Sequence, residues 1–239
     1  MGASVGSAVV AEHLEHAPDA SYGVFDTLLV RAGRALDLER HVGRLTSSVA
    51  ELYAVPVDAP GLAARIAAGA FGMELGRVRT SYHPIRDEWE IESTPIEEPE
   101  PGSRTLTPLR LPGGLGRHKW RDRRLVEGPR DADDVLLVDD ADDVLECGTA
   151  NVFLVLDGEV VTPPLDGRIL PGTVRARVLE MLAGEGRAAA ERPVTLSALR
   201  AADEVFTTSS IRGVRPVVGC LGVGAWAAGP TADRLRHDR

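Results

Sequence analysis

Residues 116–128 read GRHKWRDRRLVEG, and Lys119 near their start is the only lysine in the 239-residue chain. Every other residue in the combined Lys and Arg count of 27 is an arginine. A solvated positive charge passes from lysine to arginine at little cost. A guanidinium, however, stays protonated and cannot serve as an amine nucleophile. A single retained lysine therefore points to amine chemistry. A codon bias toward arginine explains the same composition, and composition alone leaves both readings open.

Outward from this stretch, the pattern alternates between strand and helix. On the N-terminal side, residues 21–33 read as a strand ending in a turn at Gly33. Leu38, Val42, Leu45, Val49 and Leu52 then recur at helical spacing. An alanine-rich helix is expected over 61–74, and two strands, 76–85 and 87–96, joined by a turn at His83–Asp87. The Pro-, Gly- and Glu-rich stretch 96–114 is the best linker in the chain, and 118–128 reads as a short polar helix closed by Gly128. On the C-terminal side, strands are expected over 134–139, 144–156 and 159–164. Helices follow over 170–186 and 194–202, then a strand entering a polar turn over 203–210. The expectation is an α/β (α+β) protein with a smaller N-terminal domain over 1–103. An interdomain linker over 104–112 and a larger domain over 113–239, carrying Lys119, complete it.

Composition narrows the function. The apolar fraction of 44% and charged fraction of 26% are those of a globular chain. A net charge of −9 argues against a protein that grips nucleic acid. No run approaches a membrane span, and the N-terminus lacks the positive residue of a signal peptide. Two cysteines, Cys147 and Cys220, make no disulfide framework, so a reducing, cytoplasmic setting is expected. No metal site is expected: Asp139, Asp140, Asp142 and Asp143 lack a calcium-loop spacing, and His13 and His16 have no third ligand. Gly222 and Gly224 read as a glycine-rich turn, and His118 as structural.

Four segments taken together carry a family resemblance: ERHVGRL (39–45), HKWRDRRL (118–125), VLECGTANVF (144–153) with TPPLDGRILPGTVR (162–175), and ADEVFTTSS (202–210). In this order they resemble the fold type IV pyridoxal-phosphate enzymes. These include branched-chain and D-amino-acid aminotransferases and 4-amino-4-deoxychorismate lyase. The resemblance implies a two-domain, D-amino-acid aminotransferase-like fold and a homodimer. It implies pyridoxal 5'-phosphate as cofactor, with Lys119 as its Schiff-base lysine and proton carrier. Glu146 would face the pyridine nitrogen. Arg44, Ser209, Ser210 and the backbone of Thr173 and Val174 would hold the phosphate at a helix start. Leu170 would pack on the ring.

The reaction is read from finer features. Lys119-x-x-Asp122-Arg123 and the Cys147 after Glu146 are similar to the lyases, which eliminate pyruvate from a small amino substrate to leave an aminobenzoate. Arg123 is a candidate carboxylate ligand; pairing with a nearby acid is the alternative. Phe25 and Arg79 belong to segments that line the substrate pocket. The family's Gly-Asp-Gly before that phenylalanine is replaced by Tyr22-Gly23-Val24. A class IV aminotransferase acting on branched-chain or D-amino acids, and a cofactor-binding protein without turnover, are the alternatives.

Overall fold

The computed structural model describes residues 17–237 except 101, 129 and 188; His13, His16 and the N-terminal apolar stretch lie outside the described residues. β1 (Val24–Arg31), β2 (Arg34–Ala35), β3 (Leu75–His83) and β4 (Glu88–Pro95) form an antiparallel sheet in the order β2-β1-β3-β4. Helices α1 (Leu38–Tyr53) and α2 (Ala59–Ala70) pack on it. Strand periodicity explains the two faces. Val24, Leu28 and Val30 of β1 enter one core with Val42, Leu45, Val49, Leu62 and Ile66 of the helices. Asp26 stands in the same row and meets α1 through His41 and Arg44. On the other face, Phe25, Thr27, Arg77 and Arg79 line a cleft.

The larger sheet contains β5 (Arg104–Arg110), β6 (Asp134–Val138), β7 (Asp143–Cys147), β8 (Asn151–Leu156) and β9 (Glu159–Thr162). It also holds β10 (Ala190–Glu191), β11 (Val194–Thr195), β12 (Glu204–Ser209), β13 (Gly213–Cys220) and β14 (Gly224–Ala225). Their order is β10-β9-β8-β12-β13-β5-β6-β7-β11, with β14 on β13. α3 (Thr173–Gly184) and α5 (Pro230–His237) share a core with Phe153 and Phe206, whose rings stack 5.1 Å apart. α4 (Leu196–Arg200) lies near β7 and β11. Among the described residues, no helix is long and apolar enough to cross a membrane.

Three expectations are corrected. The proposed linker 104–112 is mostly β5, a parallel strand between β13 and β6 with Leu106 fully buried. Pairing with β13 stops at Leu106, so Pro108 lies where β13 asks for no N–H. The connection between the sheets is therefore 96–103. Residues 144–156 are two strands rather than one, β7 and β8, which do not pair with each other: Cys147 N–H donates to the Ala150 carbonyl at 2.7 Å and closes a tight turn between them. Residues 118–128 form no helix. The Lys119 carbonyl accepts from Phe25 N–H at 2.9 Å, Trp120 bridges Val24, and Arg121 N–H donates to Gly23 at 3.0 Å. Pairing with β1 satisfies backbone groups that a helix would otherwise use, and it brings Lys119 between the two sheets. Gly23 makes the bend beside this contact: its φ is +91° and a Cβ there would lie 2.0 Å from the Tyr82 carbonyl oxygen.

Candidate active site

Lys119 opens into a pocket that also presents Arg44, Arg123, Glu146, Leu170, Thr173, Val174, Ser209 and Ser210. The structure thus brings together nine of the residues expected from sequence. Phe25 and Arg79 line the adjoining cleft, which Lys119 also borders. The Lys119 ammonium nitrogen lies 5.1 Å from the Phe25 ring centroid, and the Arg79 guanidinium carbon lies 4.0 Å from it. Burial, with Arg44 nearby, pushes the Lys119 amine down to about 8; Asp26 and Glu146 act the other way. An amine so shifted is a nucleophile and proton carrier close to neutrality.

Glu146 is the last residue but one of β7 and Asn151 starts β8, so the turn sets them face to face. Asn151 Nδ2 donates to Glu146 Oε2 at 3.2 Å and to the Leu170 carbonyl at 2.9 Å. Leu170 N–H returns a bond to the Glu146 carboxyl at 3.2 Å. Glu146 makes no ion pair among the described residues, and burial pushes it up to about 8. A buried carboxyl without an ion-pair partner suits the protonated nitrogen of a pyridine ring.

The other end of the pocket is built to meet an anion. α3 starts at Thr173 without a side-chain cap, its N-cap being Gly172, which leaves the first amides free. Thr208 is 2% exposed, lines this pocket, and its Oγ1 has no hydrogen-bond partner. Such an orphaned hydroxyl is expected to meet a ligand acceptor. Arg44 is held bidentately by Asp26, through Nε at 2.9 Å and Nη2 at 2.8 Å, while Nη1 donates to the Pro171 carbonyl at 2.8 Å. Donors at one end, an uncompensated carboxyl and an amine fit the phosphate, ring nitrogen and aldehyde of pyridoxal phosphate.

Other polar residues of these segments are engaged by protein partners. Arg123 donates to the Gly148 carbonyl and lies 3.5 Å from Glu127, so it braces the turn between β7 and β8 as well as lining the pocket. Asp122 accepts from Arg124 Nε at 2.8 Å and from Asp19 N–H at 2.9 Å, and fixes the loop rather than the site. His118 faces Ser48 Oγ at 3.0 Å and Trp120 edge-on, and it also lines the pocket. The aspartates at 139 and 143 are occupied by Arg168, and among the described residues no metal-binding cluster occurs. Asp26, His41, Asn151 and Thr208 were not singled out as site residues. The quoted motifs contain all but Asp26, whose one signal was a carboxylate in the apolar row of β1.

The fold is that of the fold type IV pyridoxal-phosphate enzymes, to which the chain is similar. Residues 127–220 match the family described as amino-transferase class IV. "Branched-chain-amino-acid aminotransferase-like protein 2" of Arabidopsis thaliana is 36% identical over 107 residues, 44% of this chain and 19% of the relative. The matched stretch spans less than a fifth of the Arabidopsis relatives. The crystal structure of 4-amino-4-deoxychorismate lyase from Pseudomonas aeruginosa superposes with a TM-score of 0.71 and 27% identity, covering 98% of this chain and 94% of that one. An aminotransferase from Brucella abortus bound to pyridoxal phosphate shares the fold, with a TM-score of 0.76 at 23% identity, 97% of this chain and 92% of that one being covered.

Proposed function

We propose that the chain is a pyridoxal-phosphate enzyme of the 4-amino-4-deoxychorismate lyase type, eliminating pyruvate from an anionic amino substrate. The observation that carries this is the charge of the cleft beside Lys119. Arg77, Arg79, Arg104, Arg123, Arg212 and Arg215 line it against only Glu127 and Asp133. Burial and the neighbouring Arg121 push Arg79 down from the ordinary arginine value, a cation in want of an anion. A substrate with two carboxylates suits this cleft; a branched aliphatic side chain does not.

When bound, the cofactor supplies an aromatic ring that withdraws electrons from the carbon bearing the substrate's amino group. Lys119 would hold its aldehyde. Once displaced by the substrate amine, Lys119 Nζ would take a proton from the substrate carbon and later return protons for release of the product. Glu146 would keep the ring nitrogen protonated. Arg44, Thr173, Val174, Ser209 and Ser210 would hold the phosphate, and Leu170 would pack on the ring. Arg79 and Arg123 would orient carboxylates against Phe25. The proposal includes a homodimer, checked by light scattering.

A second reading, a class IV aminotransferase, is favoured by the names of the curated relatives. Incubation with aminodeoxychorismate separates the two. Pyruvate release without a keto-acid acceptor is the expected result. A strict acceptor requirement selects the aminotransferase, and cofactor binding without turnover in either assay overturns both.

A further inference from the structure

Asp26 is 1% exposed, and its carboxylate collects four donors: His41 Nδ1 at 2.8 Å, Arg44 Nε and Nη2 at 2.9 and 2.8 Å, and Thr27 N–H at 2.7 Å. Although burial opposes ionisation, Arg44 and His41 hold it well below the usual carboxylate range. An ionised carboxylate only accepts, so His41 carries a hydrogen on Nδ1. The ring is thereby fixed with Nε2 facing Thr173 Oγ1 at 3.2 Å, and Thr173 Oγ1 faces Ser210 Oγ at 3.4 Å. A continuous polar chain therefore runs from β1 through α1 to both hydroxyls at the anion-binding end of the pocket.

We propose that Asp26 and His41 are the positioning residues of the phosphate cup. Asp26 aims Arg44 on one side, and through His41 it orients the Thr173 and Ser210 hydroxyls on the other. Asp26 does not line the pocket. Its negative charge near a phosphate is unfavourable by itself, so a positioning role and a purely electrostatic one predict opposite signs. This inference rests on the phosphate lying over Thr173 and Ser210, as in the function proposed above.

The test measures dissociation constants for pyridoxal phosphate and for pyridoxal, which lacks the phosphate, on wild type, Asp26→Asn and His41→Asn. Fluorescence titration gives the constants, and the 31P shift of the bound cofactor reports the phosphate environment. Asn at 41 retains a donor toward Asp26 but does not reach Thr173. Both variants should bind pyridoxal phosphate about ten- to a hundredfold more weakly. Pyridoxal affinity should change by no more than about threefold, and the 31P shift should move. Unchanged or tighter binding of pyridoxal phosphate by Asp26→Asn would overturn the proposal. So would equal weakening of both ligands, which marks general structural damage. If Asp26→Asn does not fold, His41→Asn decides alone by the same criteria. A wild type that does not prefer pyridoxal phosphate to pyridoxal would instead sink the phosphate placement, and the inference with it.

Discussion

Asn151 and Gly172 approach so closely that a Cβ on Gly172 would fall 1.9 Å from Asn151 Oδ1. The φ of Gly172 is −69°, which any residue adopts, so it is the contact and not the backbone that demands glycine here. Asn151 also holds Glu146 and the Leu170 carbonyl. Gly172→Ala should push Asn151 aside and disturb both ends of the pocket. The expected loss is about 1–3 kcal/mol of stability together with weaker cofactor binding. Adding Asn151→Ala should recover part of the stability but none of the binding, a non-additivity that melting curves and cofactor titration can measure.

Only the neutral form of Lys119 attacks an aldehyde. With its amine pushed down to about 8, the rate of cofactor attachment should rise about tenfold per pH unit below that value and level off above it. Arg44 is the leading charged neighbour that depresses the amine, so Arg44→Gln should move the inflection upward. Stopped-flow absorbance reads this directly. An inflection in the wild type near the ordinary lysine value of 10.5 would refute the assignment. Lys119→Arg should form no borohydride-reducible adduct at all.

The sequence made the two-part α/β organisation and most of the pocket legible for a physical reason. Lys119, Glu146 and the Gly172–Val174 turn are local chemical signals, each visible within a few residues. What escaped depends on pairing between distant segments. β13 lies in the middle of the large sheet, yet its sequence GVRPVVGC carries glycines, an arginine and a proline that disguise a central strand. The loop at 118–128 looked helical because its polar spacing permits a helix. Its backbone is instead claimed by β1, some 95 residues earlier. Asp26 was passed over for the same reason, since its partners His41, Arg44 and, through His41, Thr173 sit on two other elements.

Arg79 shares the ring of Phe25 with Lys119, and among the described residues it forms no ion pair with a carboxylate. Arg123, by contrast, is already engaged by Gly148 and Glu127. Arg79→Met keeps a linear apolar stem over the ring and removes the charge. The KM for a dicarboxylate amino substrate should then rise about ten- to a hundredfold, in line with one charged hydrogen-bonded contact. The value for a monocarboxylate amino acid should change far less. Steady-state kinetics on the two substrate classes distinguish this from a general loss of folding.

Glu146 links stability to pH in the cofactor-free protein. Burial raises its folded-state pKa from an ordinary 4.5 to about 8, so the neutral carboxyl is the form that the fold accepts. The associated stability is fully present below about pH 4.5 and is lost as pH rises toward about 8. Glu146→Gln removes that dependence, and its carbonyl at the Oε2 position can accept from both Asn151 and Leu170. The variant without cofactor should therefore gain about 1–3 kcal/mol over wild type at pH 8 and nothing near pH 4.5. With cofactor, the advantage should shrink, because the wild-type carboxylate then meets the ring's protonated nitrogen, and turnover by the variant should fall about a hundredfold or more. Melting temperatures across pH, with and without pyridoxal phosphate, check both halves. A variant less stable than wild type at pH 8 without cofactor would show that the carboxylate is already compensated by the protein alone.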